Sequence, residues 1–345
     1  MLILAVFSAD AFSGIVGPVH TLLLCRHGDS IWNGGHSECQ ETFTGWTDVC
    51  LSPSGEQEAV QAASQLVTYF YDIDMVFTSM LQRAQHTTDI CIEELKKNGG
   101  SFPVIEDYRL AERHYGALQG LIKREVEEGK YGHDPVDVQK WRRSWHVVPP
   151  LLDDNDERRI REIEQYAHIC GGAHKVPRGE SLEMVAKKRV RPLLNEVITP
   201  ALDMAARLKS ERSNSSVEEE LAAGLIVAHA NSLRALIGVI CEVEDDPIAL
   251  EILESLKIPT GVPLVIHYQQ LSGGRFRACP LPEPDECLIQ DIESDGYMKA
   301  LEPPPNLGHP NLPVWPLDTC IPLERKQRKE FFAAFENGYA SATGA

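Results

Sequence analysis

Residues 22–33, LLLCRHGDSIWN, pass from an apolar run into the triplet Arg26-His27-Gly28. Read as a buried strand that stops at the triplet, the stretch sets a guanidinium and an imidazole side by side at the strand's carboxyl end, where open α/β sheets bind ligands. Gly28 permits close backbone approach there. The arrangement suits a phosphate. By itself the triplet says little, because a given triplet arises by accident in roughly 4 of 100 chains of this length. A strand-end histidine satisfied by the backbone is an equally good reading, so the decision rests on the surroundings.

Outward from the triplet, apolar strand-like runs alternate with helical patterns. Val19–Cys25 reads as a strand, 54–70 as a helix, Asp74–Thr78 as a second strand and 83–96 as a second helix. Ser52, Pro53 and Glu56 supply helix-start chemistry ahead of the first helix. This βαβα order predicts an α/β protein with a mostly parallel sheet flanked by helices. The pattern resumes with a buried strand at Ala223–Ala228, a helix at 232–241 and a strand at 262–268. Between the halves, 122–145 reads as a helical hairpin, the charged stretch 153–165 as an exposed helix and 210–220 as a loop. Residues 280–322 carry 10 of the 22 prolines, which predicts an extended arm ending in a short helix rather than a second core. The expected domains are a leader over 1–18, a catalytic domain over 19–279 and the arm over 280–345.

Composition narrows the function classes. With 345 residues, 43% hydrophobic and 24% charged, the chain is expected to be soluble and globular. No apolar stretch reaches the ~18 residues of a membrane span. A formal charge of −18 argues against nucleic acid or an anionic membrane as partner. A local cationic pocket can still bind an anion, since exposed charges are screened beyond about 8 Å. Nine cysteines without a CxxC pair suggest reduced thiols in a reducing compartment. His168, Cys170 and His174 do not match a usual metal-ligand spacing, and no metal is expected. The start, MLILAVFSADAFSG, resembles a signal or plastid presequence only loosely; the expected location is the cytoplasm, or a plastid if the leader is a presequence remnant.

A second histidine gives the triplet its weight. The strand Ala223–Ala228 ends in Ala228-His229-Ala230-Asn231, so a parallel sheet can bring His27 and His229 to one edge, each expected to precede a helix whose N–H groups favour an anion. Arg83, at the next strand-to-helix junction, adds a guanidinium. Glu112, in LAERHYGALQG, adds a carboxylate. Taken singly, each is more often a solvated charge, whereas together they supply the parts needed for phosphoryl transfer without a metal.

The blocks LLLCRHGDSIWN, TFTGWTDVCLSPSGEQEA, VFTSMLQRAQHT, RLAERHYGALQG, KWRRSW, RGESLEMVAKKRVRPLLNEVITP, VAHANSLRALI and IPTGVPLV fall in family order between about residues 20 and 270. On these blocks the chain resembles the cofactor-dependent phosphoglycerate mutases of the histidine phosphatase superfamily. The resemblance implies a three-layer α/β sandwich that interconverts 3- and 2-phosphoglycerate. It makes His27 the phosphorylated residue, with Arg26, Arg83 and His229 stabilising the transferring group and Glu112 as general acid and base. Neutral His27 needs one free nitrogen, the other donating to a backbone carbonyl. Asn33, Thr44, Gly45, Arg113, Tyr115, Lys123, Arg142, Arg143, Ala230 and Asn231 match substrate-binding positions. The implied primer is 2,3-bisphosphoglycerate, the partners are small phosphoglycerates, and the assembly is a homodimer or homotetramer. Water exclusion calls for a closing loop or tail.

Four departures from the family pattern stand out. The loop between Asn33 and Phe43 is longer than usual, beside the pocket. Ala230 replaces the usual glycine, where a positive φ would cost roughly 1 kcal/mol or more. One extra lysine follows Ala186, and the chain does not align past Cys279. A bisphosphoglycerate mutase or phosphatase of the same superfamily uses the same residues, and an idle binding protein is the reading from another class. The latter is disfavoured by the presence of all five catalytic positions.

Overall fold

The computed structural model describes residues 15–34, 40–69, 73–97, 102–213 and 222–279. Residues 1–14 of the leader, the centre of the long loop and the whole proline-rich arm lie outside them. Six strands form one sheet: β1 (Ile15–Arg26), β2 (Ile73–Thr78), β3 (Val104–Glu106), β4 (Ala223–Ala228), β5 (Pro263–Leu271) and β6 (Arg275–Ala278). Their order is β3-β2-β4-β1-β5-β6. β3, β2, β4 and β1 run parallel, while β5 pairs antiparallel with β1 and β6 with β5. The sheet is therefore mostly parallel, as the βαβα order predicts.

Alternation along the central strands creates two cores. Leu22 and Leu24 of β1, Phe77 of β2 and Ile226 and Ala228 of β4 enter one apolar cluster. Leu23 and Cys25, Val76, and Leu225 and Val227 enter the cluster on the opposite face. The period of two requires cover on both faces, and helices supply it. Helices α1 (Pro53–Tyr69) and α2 (Gln82–Lys97) cover one face. The other is covered by a long helix α6 over residues 182–213, by α7 (Ala230–Ile240) and by α8 (Pro247–Ser255). Each fully buried Leu or Phe in these clusters contributes about 1.5–3 kcal/mol.

Several expectations need correction. β1 begins at Ile15, so residues 15–18 belong to the sheet and not to the leader. Residues 210–213, expected in a loop, continue α6. The charged stretch forms α5 (Glu157–Cys170), capped by Asp156, but it is not exposed all round. It buries Arg159, Glu162, Tyr166 and Cys170, one stripe at helical spacing. The expected hairpin consists of two short helices, α3 (Lys123–Glu127) and α4 (Pro135–Arg143).

The long helix α6 contains Pro192 and Pro200, ordinarily breakers of a helix interior. Each is preceded by a π-helical stretch, Ala186–Val190 and Leu194–Ile198. A wider turn accommodates one additional residue and gives the carbonyl four residues before the proline room to avoid its ring. The first stretch coincides with the extra lysine after Ala186.

Candidate active site

The ends of β1, β4 and β2 lie side by side, and three strand-to-loop junctions build the site. His27 N–H donates to Ala228 O at 2.9 Å, and Ser79 N–H donates to Val227 O at 3.3 Å. β1 thus delivers Arg26 and His27, β4 delivers His229, and the turn after β2 leads into α2, which carries Arg83. The His27 and His229 rings are 4.9 Å apart between centroids. His229 caps α7, as expected. His27 does not precede a helix directly but opens a loop, and none of the described residues from 27 to 52 is helical. Gly28 and Gly55 let this loop cross the start of α1, for a Cβ on Gly28 would sit 2.1 Å from Gly55 O.

Hydrogen bonds fix the state of His27. The Arg83 Nε–H points at His27 Nε2 at 3.3 Å and can only donate, so Nε2 carries the lone pair. Nδ1 then holds the proton and donates to Gly28 O at 2.7 Å. Burial, followed by the charges of Arg83 and Arg26, holds the His27 pKa well below 6.5. The imidazole is neutral at physiological pH. Arg83 is itself anchored by donating to Gly45 O at 2.9 Å and Thr47 O at 3.1 Å. Burial lowers its pKa to about 10, which leaves it charged.

His229 is fully buried and its pKa is likewise pushed well down, by burial first and then by Arg83. Its Nε2 meets Ser79 Oγ at 2.8 Å, and its buried Nδ1 has no protein partner. Glu112, at 9% exposure, accepts through one oxygen from the backbone N–H groups of Arg113 at 2.7 Å and Asn231 at 3.1 Å. Its carbonyl accepts from Trp46 Nε1 at 2.7 Å and Arg189 at 3.2 Å. The carboxylate is held from both sides of the site.

Around these groups lie two adjoining compartments. The inner one, of ≈ 80 Å³, is bounded by Arg26, His27, Arg83 and Glu112, with Asn33, Thr44 and Gly45 on the loop side and Ala230 and Asn231 on α7. The outer one, of ≈ 220 Å³, shares Arg26, Tyr115, Lys123, Ala230 and Asn231 with it and adds Glu41, Arg142, Arg143, Arg234 and Lys257. Of the predicted residues Arg113 and the fully buried His229 line neither, although the His229 ring packs against that of His27. The Arg113 guanidinium stacks on Tyr115 at 4.5 Å and donates to Arg142 O at 3.0 Å, with Nε and Nη1 buried and unpartnered. Arg26 donates to Ile258 O at 2.9 Å while its Nε is buried without a partner. Arg142 pairs with Glu127 and Lys123 with Glu41. Among the described residues the only non-glycine at positive φ is Glu242, so Ala230 carries no such strain.

Sequence reasoning missed Glu41, Ser79, Arg189, Arg234 and Lys257. Ser79, Arg189 and Arg234 sit within recognisable blocks, and that position is the one signal pointing to them. No set of three or more His, Cys, Asp or Glu side chains is gathered for a metal among the described residues. The arrangement offers an imidazole nitrogen with a free lone pair, a cluster of cations and one carboxylate.

Comparison with known proteins agrees with this chemistry. Residues 22–151 match the model of the histidine phosphatase superfamily (branch 1). The chain is 39% identical over 255 residues to a 2,3-bisphosphoglycerate-dependent phosphoglycerate mutase of Lachnoclostridium phytofermentans, covering 74% of this chain and 88% of that protein. It is 41% identical over 244 residues to the enzyme so named from Neisseria meningitidis serogroup C, covering 71% and 92%. Among solved structures it is similar to mycobacterial hydrolase 1, at TM-score 0.51 and 21% identity over 76% of this chain and 96% of that one. A mycobacterial glucosyl-3-phosphoglycerate phosphatase is similar at TM-score 0.50 and 22% identity, over 76% and 97%. The structural likenesses show the fold alone.

Proposed function

The chain belongs to the 2,3-bisphosphoglycerate-dependent phosphoglycerate mutases of the histidine phosphatase superfamily, and from that premise we propose that it interconverts 3- and 2-phosphoglycerate, the step of glycolysis and gluconeogenesis, through a phosphohistidine at His27. The observation that carries this reading is the His27 tautomer: Nδ1–H is tied to Gly28 O, and Nε2 presents its lone pair beside Arg83.

In the proposed reaction, Nε2 of His27 attacks phosphorus in line with the departing oxygen. Phosphoryl transfer passes through a loose transition state with charge spread over the equatorial oxygens, so positioned donors do most of the work. Arg83 and Arg26 supply two. His229 supplies a third through Nδ1–H, with Ser79 donating its hydroxyl proton to Nε2. Glu112 gives a proton to the departing hydroxyl oxygen and takes one from the hydroxyl that returns. Lys123, Arg142 and Arg143 hold the substrate's remaining anionic group. Tyr115 and Asn231 orient the glycerate backbone, Arg113 acts through Tyr115, and Asn33, Thr44, Gly45 and Ala230 shape the walls.

The orphaned buried Nε of Arg26, which lines both cation-rich compartments, and the orphaned Nδ1 of His229 beside His27 fit a ligand with two phosphate groups. When bound, 2,3-bisphosphoglycerate supplies the phosphoryl group that charges His27. A homodimer or homotetramer and a cytoplasmic location complete the proposal. No helix of the described residues is long and apolar enough to cross a membrane.

A coupled assay with 3-phosphoglycerate tests the reading, run with and without catalytic bisphosphoglycerate and with a chelator. Bisphosphate-stimulated, chelator-resistant formation of 2-phosphoglycerate is expected. Phosphate release without isomerisation would make the protein a phosphatase, and silence in every arm would leave a binding protein.

A further inference from the structure

The outer compartment contains one feature that opposes anion binding. Six cationic side chains line it, and among the described residues Glu41 is its one carboxylate. Glu41 belongs to the enlarged loop after Asn33, and backbone contacts hold it there. Lys123 N–H donates to Glu41 O at 2.8 Å, and Thr42 forms an antiparallel bridge with Ile122. The backbone of the loop is thereby stitched to the segment that carries Lys123. The Lys123 ammonium donates to Glu41 Oε1. Burial works against the charged form of Glu41, but Lys123, Arg142 and Arg26 outweigh it and hold the carboxyl below its ordinary range.

We propose that Glu41 is a resident counter-anion that determines specificity by occupying Lys123, so that an incoming ligand must displace it with a second anionic group. The proposal deepens the mutase reading and rests on it for the substrate class. A ligand with a single anionic group in the outer compartment competes with the tethered carboxylate at a disadvantage. A ligand already anchored by a phosphate against His27 and Arg83 presents its second group at high effective concentration and wins the exchange. The site thus favours small molecules with two anionic groups and resists the simple anions that six clustered cations would otherwise collect. Glu41 acts on binding; the groups that carry the chemistry are unchanged by it.

The test is a sulfate titration followed by tryptophan fluorescence, with inorganic sulfate as probe, on the full-length wild type, Glu41→Gln, Lys123→Met and the double variant. Glu41→Gln should tighten sulfate binding three- to tenfold, the range of a partly exposed ion pair and its hydrogen bond, and lower the KM for 3-phosphoglycerate in parallel. In the Lys123→Met background the same substitution should have no effect, because the partner is gone. Glu41→Ala, on a half-exposed side chain, provides a second variant with the same expectation. Unchanged or weaker sulfate binding in Glu41→Gln, or an equal gain without Lys123, would overturn the proposal. The titration needs no turnover: a shift in sulfate affinity with no isomerase activity in any variant would sink the mutase reading and leave Glu41's role standing, and the reverse pattern would do the opposite.

Discussion

His27 owes its readiness to two contacts rather than to its own chemistry. An arginine that can only donate faces Nε2, and a carbonyl accepts from Nδ1, so one tautomer is enforced before any substrate arrives. Glu112 is placed with similar care, its carboxylate bridging two backbone N–H groups from separate segments. Replacing Glu112 by Gln keeps the shape and removes the exchangeable proton. General acid–base catalysis contributes about 10²–10⁴-fold, so kcat should fall by that factor while the unfolding midpoint stays put; a loss below tenfold would remove Glu112 from the chemistry. His27 was legible because it follows the end of an apolar strand, and Glu112 because it falls within a recognisable block, RLAERHYGALQG. Ser79 and Arg189 were not, since their partners lie 150 and 78 residues away in sequence and only folding brings them together.

At the scale of elements, helix α6 connects an irregularity to the site. Arg189 lies in the first π-helical stretch and is buried. It donates to Ala111 O at 2.8 Å, to Glu112 O at 3.2 Å and to the Glu180 carboxylate at 2.9 Å. Glu180 in turn accepts from His114 N–H at 3.0 Å, and the His114 ring meets Glu162 of α5 at 2.9 Å. One buried chain of polar contacts therefore holds the segment bearing Glu112. Arg189→Met strands the Glu180 charge, and breaking a buried pair costs about 3–5 kcal/mol. Denaturant unfolding should show that loss, and Arg189→Met with Glu180→Gln should recover part of it; equal losses in single and double variants would contradict the linkage. The helix itself was hidden from sequence reasoning by Pro192 and Pro200, whose breaking tendency is absorbed by widened turns that no simple periodicity reveals. β3 and β6, of 3 and 4 residues, were too short for alternation to register.

For the whole molecule, the sheet order explains why so distant residues meet. β1 and β4 are central and parallel, so their carboxyl ends present His27 and His229 together, and this much followed from the βαβα pattern. The outer compartment depends on α3, α4 and the loop after Asn33, whose mutual placement no local pattern encodes. Burial of neutral histidines also sets the acid stability. His27 and His229 have pKa values held well below 6.5, and those of His20 and His267 are lowered too. Unfolding frees them to bind protons, so below about pH 6.5 the unfolded state holds more protons and stability falls as pH falls. Each fully buried histidine adds a slope of about 1.4 kcal/mol per pH unit at most. Denaturant midpoints should therefore drop between pH 7.5 and 5.5, and Asn at positions 27 and 229 should flatten the trend; a flat wild-type profile would contradict it. The central claim is the phosphohistidine, and mass spectrometry of the protein treated with 2,3-bisphosphoglycerate tests it most directly. An acid-labile phosphoryl group should map to His27, discharge onto added 3-phosphoglycerate and be absent from His27→Ala, whereas a label that persists in His27→Ala or maps to another residue would contradict the account.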